Sequence, residues 1–187
     1  MSVFVALVHH PVYDRNGQIV TSSVTNFDLH DIARTCRTYG VLRYFVVHPS
    51  PDEQALNSRI VSHWRSGYGR QAHPTRAEAL EILELVAEFS DVEKRIEELT
   101  HQVPIKVGTS ARKHLFRGIS FEDLREKSES EPVLLIFGTG YGLSEDWLKR
   151  VEFFLPPVRG PNPEYNHLSV RSAVGIILDR LLGIERS

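Results

Sequence analysis

The sequence has 187 residues, of which 41% are hydrophobic and 25% are charged, and this balance predicts a single globular domain over residues 1–187. A chain of this length can bury a core without disulfides or a structural metal. The net charge of −2 gives the chain as a whole no attraction for nucleic acid, so RNA binding would require a local basic patch.

The only cysteine, Cys36, excludes a disulfide framework and a cysteine-based metal site. We therefore expect a reducing, cytoplasmic compartment. The N-terminal segment has a short apolar run without a preceding basic region, which favours a buried strand over a signal peptide or a membrane span. His9 and His10 end this strand, but adjacent residues of a strand face opposite ways, so we predict no metal site.

Six apolar runs predict strands that alternate with helices. They cover 3–8, 42–47, 82–88, 104–108, 133–137 and 151–155. The alternation favours an α/β domain with a mostly parallel sheet and helices on both faces. In such folds ligands bind in the loops beyond the carboxyl ends of the strands, so functional residues are expected there.

Apolar residues at helical spacing predict a first helix from Phe27 to Tyr39, with Asn26 as its N-cap and Gly40 at its end. A second helix is expected after the prolines near residue 50, and it reaches about Trp64. Both predictions rest on local periodicity and on the residues that begin and end helices.

The segment 76–102 could be one long helix, but its alternating apolar residues favour a short helix, the strand, and a further helix from residue 91. That further helix is expected to begin at Ser90–Glu93, which has the form of a capping box. The last helix, Ser169–Leu182, carries an apolar face.

A glycine loop, residues 138–142, follows the strand at 133–137. Its glycines at positions 138, 140 and 142 permit positive φ angles and close backbone approach. The loop is not the dinucleotide fingerprint, because that pattern would require glycine at Leu143. A second loop, residues 155–166 with four prolines, leads to the last helix, and we call it the proline loop. The glycine loop taken alone is equally consistent with a tight connection, and a loop with four prolines is more often a plain linker than a site.

The order of these segments resembles the C-terminal half of the SPOUT RNA methyltransferases. The resemblance rests on VLLIFGTGYGLS at 133–144, VEFFLPPVRG at 151–160 and YNHLSVRSAVGIILDRLLG at 165–183. It implies a C-terminal trefoil knot that binds S-adenosylmethionine (SAM).

Two segments upstream add to the resemblance. KVGTSAR at 106–112 resembles a loop that reaches the cofactor in several branches, and IART at 32–35 with Tyr39-Gly40 resembles the first family motif. Residues 9–41 resemble a little-characterised branch that also occurs fused to tRNA guanine-N1 methyltransferases. The resemblance therefore covers nearly the whole chain and implies tRNA or rRNA as the substrate.

The chemistry of the target atom stays open. The branch that methylates the ribose 2′-oxygen usually has glutamate at the position of Gly140 and asparagine at the position of Ser169. The glycine loop followed by Leu143-Ser144 also resembles a branch that methylates a ribosomal pseudouridine. Base and ribose methylation are both admissible.

The cofactor has definite physical needs. SAM requires backbone hydrogen bonds for its adenine, apolar walls, and no cation beside its positive sulfur, and loops of Gly, Pro, Leu and Ser suit these needs. Methyl transfer from this activated donor requires no metal. The candidate cofactor-binding residues are Thr109, Ser110, Phe137, Gly138, Thr139, Gly140, Gly142, Leu155, Pro156, Val158, Asn166, His167, Leu168, Ser169 and Ser172.

The family pattern assigns the transfer step to the first helix. Arg34 of the IART motif would orient the target nucleotide, and Asp28 would position Arg34 or the substrate, so both are candidate catalytic residues. The alternative interpretation is that Arg34 belongs to a solvated helix face and that Asp28 is an ordinary acidic residue at a helix N-terminus.

The stretch from Gln54 to Ala77 has no acidic residue but contains arginines and aromatic residues, which suit phosphate contact and base stacking. The candidate RNA-binding residues are Arg59, Arg65, Arg70 and Arg76. A loop with solvated arginines is the alternative. The acidic segment from Glu78 to Glu98 is expected to avoid RNA.

The resemblance also implies a homodimer that pairs through the last and first helices. Ile176, Ile177 and Leu181 are the apolar residues expected to be buried in it. Two other classes of function stay open: a non-catalytic protein that binds SAM and RNA, and a nucleotide-binding oxidoreductase or regulatory module. The second of these lacks the dinucleotide fingerprint.

Overall fold

The computed structural model describes residues 1–111, 117–162 and 164–184, without the side chain of Leu148. Arg112 of the predicted cofactor loop and Pro163 of the proline loop lie outside the described residues.

A six-stranded parallel sheet forms the centre of the fold. Its strands are β1 (Val3–Val8), β4 (Arg43–Val47), β5 (Leu83–Val86), β6 (Ile105–Gly108), β7 (Val133–Gly138) and β8 (Phe153–Phe154). They lie in the order β5-β4-β1-β7-β6-β8, and every neighbouring pair is parallel. Two short strands, β2 (Val12–Tyr13) and β3 (Ile19–Val20), pair as an antiparallel hairpin. The predicted parallel sheet is confirmed.

Helices connect the strands. A π-helical turn, Asp28–Ile32, leads into α1 (Ala33–Thr38), and the others are α2 (Pro51–Arg65), α3 (Gly67–Ala72), α4 (Pro74–Leu80), α5 (Phe89–Thr100), α6 (Phe121–Ser130), α7 (Glu145–Arg150) and α8 (Val170–Leu182). The predicted division of 76–102 into helix, strand and helix is confirmed. None of the described helices is long and apolar enough to cross a membrane.

The two faces of the sheet carry separate cores. On one face, alternate residues of β1 such as Leu7 pack in a core with Ile32, Leu124 and Leu178 from the first, sixth and last helices. On the other face, the intervening residues of β1 pack in a core with α5 and with Trp147 of α7. A strand covered on both faces must be apolar throughout, which explains the unbroken apolar run of β1. Helices on both faces are therefore confirmed.

Helix starts differ from the predictions by one or two residues. Thr25, and not Asn26, begins the first helical segment: its hydroxyl accepts from Asp28 N at 3.3 Å, and the Asp28 carboxylate accepts from Thr25 N at 3.2 Å. The capping box of α5 is formed by Glu88 and Asp91 and not by Ser90–Glu93. The predicted end of the first helix is confirmed at Gly40, which has a φ of 72°.

The apolar face of α8 points into the chain's own core. Ile177 and Leu181 are buried there, and Ile176 is half-buried. The prediction that Ile177 and Leu181 provide apolar surface for a partner is therefore wrong. These positions repeat at helical spacing because α8 covers the sheet, which a periodic pattern alone cannot distinguish from an interface.

Candidate functional site

Three loops converge at the carboxyl ends of β6, β7 and β8. These strands are neighbours and run the same way, so the segments that follow them leave the same edge of the sheet. After β6, the backbone and hydroxyl of Thr109 both donate to Ile136 O, at 3.1 and 3.0 Å. Leu155 N, after β8, donates to Gly108 O at 3.2 Å. The first residues after β6 and β8 therefore hydrogen-bond to the neighbouring strands, and the predicted cofactor loops begin side by side at this edge.

The glycine loop packs against the β2–β3 hairpin. Tyr141 N donates to Tyr13 O at 2.9 Å, and Tyr13 N donates to Gly142 O at 3.0 Å. Gly140 has a φ of 59°, and a Cβ there would lie 2.8 Å from Tyr13 O. Glycine is thus required both for the backbone angle and for the close approach. Sequence reasoning did not predict that the hairpin covers this loop.

The predicted cofactor residues divide into those that offer side chains and those that offer only backbone. Phe137 and Leu155 are buried in the cores, so only their main-chain groups can reach a ligand. Ser169 is the N-cap of α8, and its hydroxyl accepts from Ser172 N at 3.2 Å. Of the remaining positions, Pro156 and His167 are exposed and Val158 is half-buried.

Apolar side chains are exposed around the same loops. Tyr141 on the glycine loop, Tyr165 on the proline loop and Leu168 just beyond it are 60%, 65% and 47% exposed. Asn166 Nδ2 donates to Ala111 O at 3.5 Å and joins the proline loop to the loop after β6. Backbone amides beside apolar walls fit the adenine and ribose of SAM, so the donor set suits the cofactor that the sequence predicts.

The two candidate catalytic residues lie in different surroundings. Arg34 is exposed, and among the described residues its guanidinium has no hydrogen-bond or ion-pair partner. It lines a groove of about 470 Å³ between the first helix and α8, together with Asp31, Thr35, Thr38, Tyr39 and Gly175. Asp28 is buried instead, and its carboxylate accepts from the Thr25 hydroxyl at 2.6 Å and lies 3.8 Å from Arg171 Nη1. These contacts fix the start of the helix that carries Arg34.

Three of the four candidate RNA-binding arginines have partners within the chain. The half-buried guanidinium of Arg65 donates to the carbonyls of Leu80 and Leu83, which places it in a structural role. Arg70 Nη1 lies 3.1 Å from a carboxylate oxygen of Glu81. Arg76 stacks on Trp64, with its guanidinium carbon 4.3 Å from the ring centroid. Exposed Arg59 is the member of the four without a described partner.

Trp64 is the centre of an aromatic cluster that sequence reasoning did not predict. The rings of His30, His63 and His73 lie 5.6, 5.1 and 5.7 Å from it between centroids. These residues come from three separate segments, so no local pattern brings them together. The cluster extends the surface of the stretch from Gln54 to Ala77 toward the first helix, where His30 lies four residues before Arg34.

Comparison with known proteins gives the family. The family model for SAM-dependent RNA methyltransferases matches residues 2–183. An uncharacterised protein of Aquifex aeolicus is 37% identical over 187 residues, which cover 99% of this chain and 90% of that protein. A tRNA (guanine-N(1)-)-methyltransferase of Oleidesulfovibrio alaskensis is 40% identical over 97% of this chain but only 42% of its own length.

The fold is similar to solved methyltransferase structures. One of them is the SpoU methyltransferase AviRb from Streptomyces viridochromogenes in complex with the cofactor AdoMet, with a TM-score of 0.57 and 15% sequence identity. The similarity covers 97% of this chain and 57% of that chain. That likeness shows the SPOUT fold. The chain belongs to the family of SAM-dependent RNA methyltransferases, and the class that the sequence predicts is thereby confirmed.

His9 is a buried titratable group beside the glycine loop. It is fully buried after β1, and its Nδ1 lies 3.1 Å from Ser22 Oγ. Burial lowers the pKa of His9 to about 4, chiefly because a charged imidazole is poorly solvated there. The ring is therefore neutral at physiological pH.

We expect this buried histidine to weaken the fold at acid pH. The unfolded chain takes up the proton near pH 6.5 and the folded chain only near pH 4, so the free energy of unfolding falls as pH drops through this window. The loss is about 3 kcal/mol at full protonation. Denaturant unfolding of the wild type and His9→Phe between pH 7 and 3.5 measures it, and the variant should lose less stability over that range. A His10→Phe variant should follow the wild type, and identical slopes in all three proteins would contradict the prediction.

Proposed function

We propose that the loops after β6, β7 and β8 bind SAM and that the chain transfers the methyl group to a nucleotide of tRNA. The observation that carries the proposal is the convergence of the three loops, joined by the contacts of Thr109, Leu155 and Asn166. We choose tRNA because two relatives that are 40% and 41% identical to this chain over 42% of their own length are named tRNA (guanine-N(1)-)-methyltransferases. We also propose the trefoil knot for the segment that includes the proline loop and α8.

The residues of this chain have two tasks in the transfer. SAM supplies a methyl group that is already activated for in-line displacement, so the protein mainly aligns the nucleophile with it. The glycine loop, the proline loop and Leu168 hold the donor through backbone groups and apolar contact. Arg34 orients the target nucleotide as a fixed cation, because its planar guanidinium offers a rigid fork of donors and no acceptor.

Asp28 supports Arg34 without touching the substrate in this proposal. Its carboxylate is enclosed by Thr25 and Arg171, and the contact with Arg171 joins the first helical segment to the first turn of α8. Arg171 also lies 3.6 Å from Asp31 on the next turn of the first segment. The groove that contains Arg34 is thus held open between two helices that are fixed to each other.

Two variants separate cofactor binding from methyl transfer. Leu168→Glu places a charge in the apolar wall and should weaken SAM binding at least about tenfold, since an unpaired charge is disfavoured in such a site. Arg34→Ala and Arg34→Lys should bind SAM normally but lower kcat and kcat/KM together by roughly 10², because the contact acts mainly in the transition state. Calorimetry with SAM and labelled methyl transfer to tRNA and rRNA measure the two steps.

Matched controls are available for both variants. Leu99→Glu adds the same charge at an exposed leucine of α5 and should bind SAM as the wild type does. Arg37→Ala removes an exposed arginine of the same helix that pairs with Glu78, and it should retain methyl transfer. A wild type that binds NAD in preference to SAM would refute the cofactor site, and binding without transfer to any RNA would leave a non-catalytic protein.

We propose that RNA enters over the surface of the stretch from Gln54 to Ala77, with Arg59 as a phosphate contact. Arg59→Ala should weaken RNA binding at every sequence tested and reduce the slope of log affinity against log salt by about one, because one fewer counterion is released. Filter binding at several salt concentrations measures this slope. Arg95→Ala, in the acidic region where Arg95 pairs with Glu84, is the control and should leave the slope unchanged.

Arg65→Ala is expected to lower the stability of the fold and to leave the salt dependence of RNA binding unchanged. Removing its guanidinium leaves the carbonyls of Leu80 and Leu83 without their donor, so the expected effect is a loss of stability of about 1–3 kcal/mol with an unchanged salt slope. An unaltered slope in Arg59→Ala would show that the basic surface is only solvated.

We also propose that the chain forms a homodimer over the groove between the first helix and α8. Gly175 supports this choice, because its lack of a side chain leaves the groove open beside Arg34. Light scattering at micromolar concentration should report twice the chain mass. A monomer over that range would exclude the dimer.

A further inference from the structure

His9 is joined to the glycine loop by a continuous chain of side chains. It lies at the carboxyl end of β1, and its Nδ1 is 3.1 Å from Ser22 Oγ. Ser22 Oγ is hydrogen-bonded in turn to Thr139 Oγ1 of the glycine loop. The Thr139 hydroxyl donates to Val8 O at 3.2 Å, which closes the chain back onto β1.

Val8 O can only accept a hydrogen bond, and the Thr139 hydroxyl lies within reach of it. If Thr139 gives its one proton to Val8 O, Ser22 donates to Thr139. Ser22 Oγ then has only acceptor capacity left, and His9 must donate to it from Nδ1. In that arrangement the neutral imidazole carries its proton on Nδ1, and its buried Nε2 is an acceptor with no partner among the residues described. A buried acceptor without a partner destabilises the fold, so the hydrogen bond at Nδ1 is the stabilising contact of this histidine.

Ser22 also connects the chain to the first helix. Its backbone N–H donates to His9 O at 3.0 Å, so the segment after β3 is fixed to the end of β1 at two points. Three residues later Thr25 begins the helical segment that contains Asp28 and carries Arg34. The glycine loop and the start of the Arg34 helix are thus both attached to one serine.

We propose that His9 is a positioning residue that holds the glycine loop and the Arg34 helix in their working arrangement through Ser22 and Thr139. The inference rests on the proposed cofactor site, because the glycine loop is the part of that site that the chain restrains. His9 is fully buried and does not touch either substrate. A displacement of about 1 Å between donor and acceptor groups is enough to lower a transfer rate substantially.

The test compares two substitutions at His9. His9→Phe keeps a flat ring but removes the Nδ1 donor, whereas His9→Asn can place an amide N–H near the position of Nδ1. His9→Phe should weaken SAM binding about tenfold and lower kcat further, as should Ser22→Ala, and the double variant should be no worse than either single variant. His9→Asn should restore at least half of the lost affinity on a logarithmic scale. His10→Phe, which removes a neighbouring histidine bonded to Thr21, should match the wild type.

The outcomes distinguish this inference from the proposed function. A wild type that binds no SAM overturns the cofactor site itself. If the wild type binds SAM and methylates RNA, three results overturn the role of His9: additive effects in the double variant, equal defects in His9→Asn and His9→Phe, or a lower Tm with unchanged affinity and kcat. A further measurement needs no ligand. The ¹⁵N NMR spectrum of the free protein reports the tautomer of His9, and the His9 signals are assigned as those missing in His9→Phe. The Nδ1–H form supports the direction assigned to the chain, in which His9 donates to Ser22, and the Nε2–H form overturns that direction.

Discussion

The pairing of β1 with β7 is the constraint on which the site depends. The two strands lie side by side over six residues, with Val3 opposite Val133 and Val8 opposite Gly138. The two strands are parallel and end together. His9 follows β1 and Thr139 follows β7, so both residues leave the sheet at the same place. A slip of one residue would turn every side chain of β1 to the opposite core, so the buried faces fix this register. The link through Ser22 is possible only in that register.

Much of the fold could be predicted because its signals are local. Strands buried on both faces must be apolar throughout, and β1 and β7 have unbroken apolar runs for that reason. Helix starts were less predictable, because Thr25 and Asn26 are both good N-cap residues and the choice depends on the position of Asp28. The role of Ile177 and Leu181 was mispredicted, because a core and an interface require the same apolar spacing.

The loops of the candidate site could be located along the sequence, but their contacts could not be predicted. Loops after parallel strands are where ligands bind, so sequence order alone directed attention to the glycine and proline loops. Residue type could not separate Arg59 from Arg65, which lie on the same helix. The difference is tertiary: the carbonyls at the end of α4 and in β5 face Arg65 and take up its donors. Charge counted along a sequence therefore overstates the cations that are free to meet a phosphate.

The glycines of the glycine loop say little about which ligand binds there, because the backbone geometry already requires them. Gly140 is required by its φ angle and by the nearness of Tyr13 O, and Gly138 by the nearness of Leu143, so both would be needed even if nothing bound there. Neither glycine can identify the ligand, and its chemistry must be inferred from the groups that the loops leave exposed. Tyr141, Tyr165 and Leu168 are such groups, since all three are exposed on the glycine and proline loops or just beyond them. Chemical specificity in this site thus lies in the residues around the glycines.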